Sequence, residues 1–431
     1  MRLAIRNLGA PVALAILSGC DAGSGSLADP TPQSPMPDVR LSLQFGPAPL
    51  DETVYLRPPP GSVNWSYAVD LDEDGVPDHT GRLTRELGFR FRFETPGVHH
   101  VRVELMGSDA ETAVIERLAI AADPAAVHVM AEGKIGFPGI GYFEGIAVSP
   151  DGTEIYAGNF SDGIVYRVRA MDFAVVDSIV LGYGIEGLSV SPSGRYLMMG
   201  FKYSFPAVRL ELPGLEPSPL EPNPNLYQSF FVHAVSDQLA LFGGESRLEL
   251  HDVATAQRLA VGRRSDGFEF ETGHFDVTPG GDRVVVVDRS AQNVIRLMSL
   301  PDLQELVAID VPGVEWLYDV AFDRSGDRFY VLAWSSEWEG LLAFDATTGA
   351  MLQRIRLDLE CGGFCVANPT SRSRNGRLVA MESGGPIVID TDIGLPIARF
   401  EGGSVAADPT ADHTFYSLSV DGLIRRVRID L

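Results

Sequence analysis

The chain is poor in cysteine, in basic residues and in long apolar runs. Three cysteines serve 431 residues, too few for a disulfide-built scaffold and too scattered for a four-ligand zinc set. After the first 20 residues no segment reaches about 20 consecutive apolar positions, so no membrane-spanning helix is expected. Lysine and arginine total 34 against 58 aspartates and glutamates, a net charge of −24. Such a chain repels polyanions, which excludes nucleic acid as an expected partner. The same charge suits cationic ligands, divalent ions or neutral glycans, and it also keeps an exported surface dispersed. Catalytic signatures are missing too: there is no Gly-x-Ser-x-Gly elbow, no phosphate-cradling glycine loop and no Cys-x-x-Cys-His haem site. Of eight histidines only His99 and His100 are adjacent, and neighbours on a strand point to opposite faces.

What is present begins with a leader. Arg2 and Arg6 form a basic region ahead of an apolar stretch over residues 10–17, too short to span a bilayer, that reads as an export signal. It closes on Leu17-Ser18-Gly19-Cys20, which resembles the lipobox of bacterial lipoproteins. That resemblance implies cleavage after residue 19, lipidation of the Cys20 thiol, and attachment to the bacterial cell envelope at the periplasmic face or the cell surface. The alternative is an ordinary secretory signal with a chance cysteine. Several acyl chains anchor firmly where a single one is marginal, and this anchor is the only membrane contact expected. Without the leader the chain holds 32 basic and 58 acidic residues, a net charge of −26. Residues 20–37, rich in Ser, Gly, Pro and Asp, are expected to form a disordered tether. The other two cysteines, Cys361 and Cys365, frame a Gly-Gly-Phe segment. They suit a disulfide in an oxidising compartment or two free thiols, and a metal site there would lack further ligands.

The strongest pattern is a repeat. Ile146-Ala147-Val148-Ser149-Pro150-Asp151-Gly152 returns as Leu188-Ser189-Val190-Ser191-Pro192-Ser193-Gly194, with weaker copies at Phe275–Gly281 and Val320–Gly326. Pro150, Pro192, Asp237, Pro279, Arg324, Pro369 and Pro409 mark turns roughly 40–45 residues apart, the period of four-stranded propeller blades. Seven turns predict seven blades over 124–431. A strand over 126–130 is expected to complete the last blade, so that the ring has no open seam. The phrase running from Ile146 to Asn159 resembles the YVTN family of bacterial and archaeal surface propellers. That resemblance implies a propeller displayed at the envelope.

Ahead of it, residues 38–123 alternate in short runs, with strands predicted over 39–45, 63–69, 89–93, 98–105 and 113–120. Trp65-x-Tyr67-x-Val69-Asp70-x-Asp72, followed by Pro96-Gly97-Val98 and Val101-x-Val103, resembles the polycystic-kidney-disease (PKD) modules. This implies an Ig-like β-sandwich serving as a spacer or adhesion module. The whole is then all-β: an Ig-like, PKD-type sandwich followed by a seven-bladed propeller.

Three places can carry chemistry. Asp70, Asp72, Asp74 and Asp78, with Gly75 permitting a tight turn, form an acidic loop that resembles dockerin and thrombospondin calcium loops. It can hold Ca2+ or be a plain acidic turn between strands. The repeat register places Glu144, Glu186, Phe230, Gly273, Tyr318, Gly363 and Gly403 in one ring at a channel mouth. Gly145, Gly187, Phe231, His274, Asp319, Phe364 and Ser404 follow in the next. Glu144, Glu186, His274, Tyr318 and Asp319 are the ligand-binding candidates there, against the alternative that a wet channel wants polar residues in any case. Trp316, Trp334 and Trp338, with Glu337 and Glu339, are expected as core tryptophans or else as an aromatic, acidic contact loop. The expected function is non-enzymatic recognition or scaffolding of an envelope protein or glycan, with no required cofactor. The rivals are a lactonase- or lyase-like enzyme at the channel mouth, and a stalk-and-head adhesin.

Overall fold

The computed structural model describes residues 36–60, 65–72, 74–107, 112–136, 142–182, 184–201, 207–219, 229–244, 247–255, 257–291, 293–357, 371–382 and 385–431. The fold is all-β. Residues 38–122 form two sheets. Asp38–Leu41, Leu50–Arg57 and Leu87–Phe93 make one, in that order. Phe45–Pro47, Thr112–Ala122, Gly97–Met106, Trp65–Asp70 and His79–Leu83 make the other. Strand Leu50–Arg57 alternates strictly between buried and outward residues, so its inner face meets Trp65, Val69, Val101 and Val103 of the opposite sheet in one apolar core.

The run expected as a single strand over 39–45 is broken at Ser42–Gln44, where the chain leaves one sheet for the other. The break has a physical cause: Ser42 Oγ and the Leu43 N–H both donate to the buried carboxylate of Glu52, at 2.7 and 3.0 Å. Gln44 then bonds outward. Its N–H donates to the Arg356 carbonyl at 3.0 Å, and its side-chain oxygen accepts the Arg356 N–H at 2.9 Å. Phe45 and Ile120 continue into an apolar cluster with Leu341 and Leu357. The sandwich is thus docked on the remainder of the chain.

From residue 127 onward the described residues form seven four-stranded antiparallel sheets. The first is Phe143–Val148, Glu154–Asn159, Ile164–Arg169 and Val175–Val180. Five more follow in chain order. Their first strands are Ile185–Val190, Ser229–Ala234, Thr272–Val277, Trp316–Phe322 and Ser371–Arg372. The seventh joins Ser404–Ala407, Thr414–Leu418 and Leu423–Ile429 to the early strand Val127–Lys134, with Val127 opposite Ile429. First strands of successive sheets touch one another, except that Trp316–Phe322 meets the sixth sheet through its second strand, Leu378–Glu382, and the seventh sheet touches the first, so the sheets stand around one axis. Inner strands are covered on both faces and read as unbroken apolar runs, as in Tyr196–Phe201. The outermost, such as Val175–Val180, lie mostly exposed.

The repeated phrase is the turn between first and second strands. Gly152 donates to the Ser149 carbonyl at 2.8 Å, and Ser149 Oγ accepts the Glu154 N–H at 2.9 Å. Gly152 has φ +71°, and a Cβ there would lie 2.6 Å from Thr410 Cγ2, so only glycine fits. Equivalent turns start at Ser191, Thr278, Asp323 and Ser373. The last corrects the sequence register: the sixth turn is Ser373–Gly376, several residues beyond Pro369. A side-chain oxygen at the first position, not the proline, is what the turn requires, because it caps the returning strand as Thr278 and Asp323 do in their turns; here Ser373 Oγ accepts the Leu378 N–H at 3.0 Å.

Candidate functional site

The starts of six of the first strands lie around one mouth of the central axis, while that of the sixth sheet is described only from Ser371, close to its turn. At this level the ladder between first and second strands slips in five sheets: between Phe143 and Gly145, Ile185 and Gly187, Ser229 and Phe231, Thr272 and Phe275, and Leu317 and Val320. A bulge inserts an unpaired residue and re-aims its side chain. The slipped positions are Glu144, Glu186, Phe230, Gly273 with His274, and Tyr318 with Asp319, all of them ring positions read from the repeat. Gly363 and Phe364 lie outside the described residues.

Around the mouth these residues are tied from sheet to sheet. Ser404 Oγ donates to the Glu144 carbonyl at 2.5 Å, joining seventh to first. The Phe231 and His274 rings sit 4.2 Å apart, joining third to fourth. His274 Nδ1 lies 3.7 Å from Asp319 Oδ1, joining fourth to fifth. Asp319 accepts the Val320 N–H at 2.8 Å on one oxygen and the Glu382 N–H of the sixth sheet at 3.3 Å on the other. Burial, with the Arg289 guanidinium adding in the same sense, holds the His274 imidazole well below its ordinary pKa, so it is neutral at neutral pH. Tyr318 departs from the expected ring. It belongs to the cluster with Phe45 and Leu357 under the sandwich, and burial followed by the nearby Glu339 raises its phenol. Glu144 is buried and Glu186 half-buried.

Nearer the repeated turns the channel holds a group that sequence reasoning missed. Arg372 of the sixth sheet reaches past the fifth to bond Asp276 of the fourth, and donates to the Val277 carbonyl at 3.3 Å. Asp276 also accepts the Phe322 N–H at 2.8 Å. His233 of the third sheet faces this pair. Burial lowers its pKa, with Asp276 opposing and Arg372 reinforcing. Only the corrected register brings Arg372 level with Asp276, because each then lies close before its own turn.

The mouth face, which carries the loops entering each first strand, also bears exposed aromatics. Trp316, at the start of the fifth sheet's first strand, is 58% exposed, Phe268, on the loop entering the fourth sheet, is 69% exposed, and Tyr142 is exposed beside Phe160. Trp316 therefore departs from the expectation of a core tryptophan. Trp334 and Trp338 are half-buried, with the Arg354 guanidinium 4.0 Å from the Trp338 ring.

In the sandwich, one carboxylate oxygen from each of Asp70, Asp72 and Asp78 falls within 4.8 Å of the others, spacing that suits a hard cation. Asp74 stands outside this group and accepts the Val76 N–H at 2.7 Å. Asp70 and Asp78 accept the Gly75 and Leu71 amides at 3.0 and 2.8 Å. His99 stacks on Phe93, with ring centroids 4.2 Å apart, while His100 is exposed. Cys20, Cys361 and Cys365 lie outside the described residues.

No protein-family model matches the chain, and no curated protein does. Among solved structures, hydrazine synthase of Kuenenia stuttgartiensis matches with a TM-score of 0.55 at 14% identity, over 70% of this chain and 100% of that one. The Cps50 (Swd1) beta-propeller domain of Myceliophteria thermophila matches with a TM-score of 0.52 at 12% identity, again over 70% and 100%. Most of the chain is a β-propeller. At such identities the likeness extends to the fold alone.

Proposed function

We propose that the protein is a lipid-anchored component of a bacterial cell envelope that recognises a protein or glycan partner without catalysis. In this reading Cys20 carries the lipid, residues 20–37 form the tether, residues 38–123 are a PKD-type Ig-like sandwich, and residues 124–431 are a seven-bladed propeller of the YVTN type. The observation that carries it is the exposed aromatic surface of the mouth face, Trp316 and Phe268 above all. Large aromatics left in solvent beside charged groups are the mark of a contact surface. The mouth ring supports binding over turnover, because Asp319 spends its two oxygens on backbone amides. The Asp70, Asp72 and Asp78 oxygens would hold Ca2+ as a stiffener of the sandwich.

The test is crosslinking and capture from intact envelopes with the lipidated protein. The same partner should be recovered with Glu144→Gln/Glu186→Gln and lost with Trp316→Ala/Phe268→Ala. Capture that ignores the aromatics, or a turnover that disappears with the two Gln substitutions, would overturn the reading.

A further inference from the structure

A cavity of about 1000 Å³ lies outside the ring of first strands, between the outer halves of the sixth and seventh sheets and under the edge of the sandwich. Its walls include Val127, Val129 and Val427 of the seventh sheet, Ala398 and Phe400 beside the sixth, and Phe45 of the sandwich.

The cavity follows from how the ring closes. In three sheets the turn between third and fourth strands inserts an apolar residue with positive φ: Phe173 at 55°, Leu215 at 52° and Leu303 at 51°. Each is buried in a cluster shared with the preceding sheet. The seventh sheet has no such turn, because its fourth strand arrives from the sandwich. The space that a turn residue would fill is bounded instead by Phe45 and left open.

At one end of the cavity stands Arg425, paired with Glu401 at 3.1 Å and Glu132 at 3.5 Å. The arginine side chain is 21% exposed, whereas the carboxylates are 85% and 61% exposed. The wall therefore fixes the cation, while its anions are held loosely in solvent, where such pairs contribute little. A volume near the top of the range of about 300–1,000 Å³ typical of small-molecule sites, mostly apolar walls and the fixed guanidinium of Arg425, with Arg399 as a second arginine on the lining, together define a ligand class.

We propose that this cavity binds a small amphiphile carrying a single carboxylate, its apolar body between the two sheets and its carboxylate on Arg425 in place of Glu401. Its walls include neither Trp316 nor Phe268, so the site is distinct from that aromatic surface.

Calorimetry on the full chain with dodecanoate and dodecanol, each below its aggregation limit, tests this. One dodecanoate should bind per chain, with dodecanol about tenfold weaker for want of the charge-assisted contact. Val129→Trp, which fills the cavity from an exposed position, should abolish binding of both. Glu401→Gln, on an exposed side chain that the fold does not need, should tighten dodecanoate and leave dodecanol unchanged. No dodecanoate binding, equal affinity for the two probes, wild-type affinity in folded Val129→Trp, or an unchanged dodecanoate affinity in Glu401→Gln would each overturn the proposal.

Discussion

Glu52 should make the sandwich less stable as the pH rises through neutrality. Its side chain lies on the inner face of Leu50–Arg57, between the core residues Leu50 and Val54, and is 2% exposed. One oxygen accepts from Ser42 Oγ and from the Leu43 and Thr53 amides; the other has no hydrogen-bond partner among the described residues. Burial raises its pKa from 4.5 to about 7, against the opposing pull of those hydrogen bonds and of Arg356. The folded state therefore holds a proton that the unfolded chain releases. The stabilisation is full below the unfolded value and disappears as the pH climbs through about 7. At about 1.4 kcal/mol per pH unit of displacement, the swing is on the order of 3 kcal/mol. Denaturant melts from pH 5 to 8.5, comparing wild type with Glu52→Gln, isolate this contribution because all other titrating groups are shared. Wild type should lose stability relative to the variant with rising pH, and the difference should level off above pH 8. Parallel profiles would show that the carboxyl is ionised throughout, and would refute the reasoning.

Gly152→Ala should destabilise by about 1–2 kcal/mol in thermal melts, through its positive φ and its contact with Thr410. Arg372→Met leaves Asp276 as an uncompensated, mostly buried charge and should cost about 3 kcal/mol, most of it recovered in the double variant with Asp276→Asn. Gly133→Val should be among the most damaging single changes in the closing strand, since a Cβ there would sit 2.6 Å from Phe173; loss of cooperative melting would report the opened ring. Adding Ca2+ should raise the melting temperature, and Asp72→Asn/Asp78→Asn should remove that rise.

The repeat carried most of the architecture because a four-stranded unit that packs on copies of itself must restate its turn chemistry each time. Ser149, Ser191 and Ser373 use their hydroxyls in the same way. Where proline was followed instead of serine, the sixth sheet slipped in register and Arg372 went unnoticed. The early strand over 126–130 was legible as the ring's closing piece, and runs as Val127–Lys134. Leu50–Arg57 and His79–Leu83 were missed; in the first, Glu52 interrupts the apolar alternation, and the second is short and mostly polar. At the mouth, the ring positions were readable from spacing, but the bulges that re-aim them were not. Tyr318, one of two slipped residues, turns under the sandwich, while Asp319 beside it faces His274. Trp316 reads like a core residue in sequence because exposure depends on which neighbouring loops cover it.

The seam of the ring also sets an order of events. His128 meets Asp430 across a separation of 302 residues, so the strand that emerges first in this part of the chain is the one that pairs last. Until Leu423–Ile429 has been made, Val127–Lys134 has no ladder to join, and its apolar residues wait beside a sandwich that can already be folded. A chain cut just before residue 423 would keep six complete sheets, two strands of the seventh and an unlatched strand. Completion of the ring thus acts as a check that the chain has been made through residue 429, and products lacking that strand would expose an edge on which proteases and neighbouring chains can act.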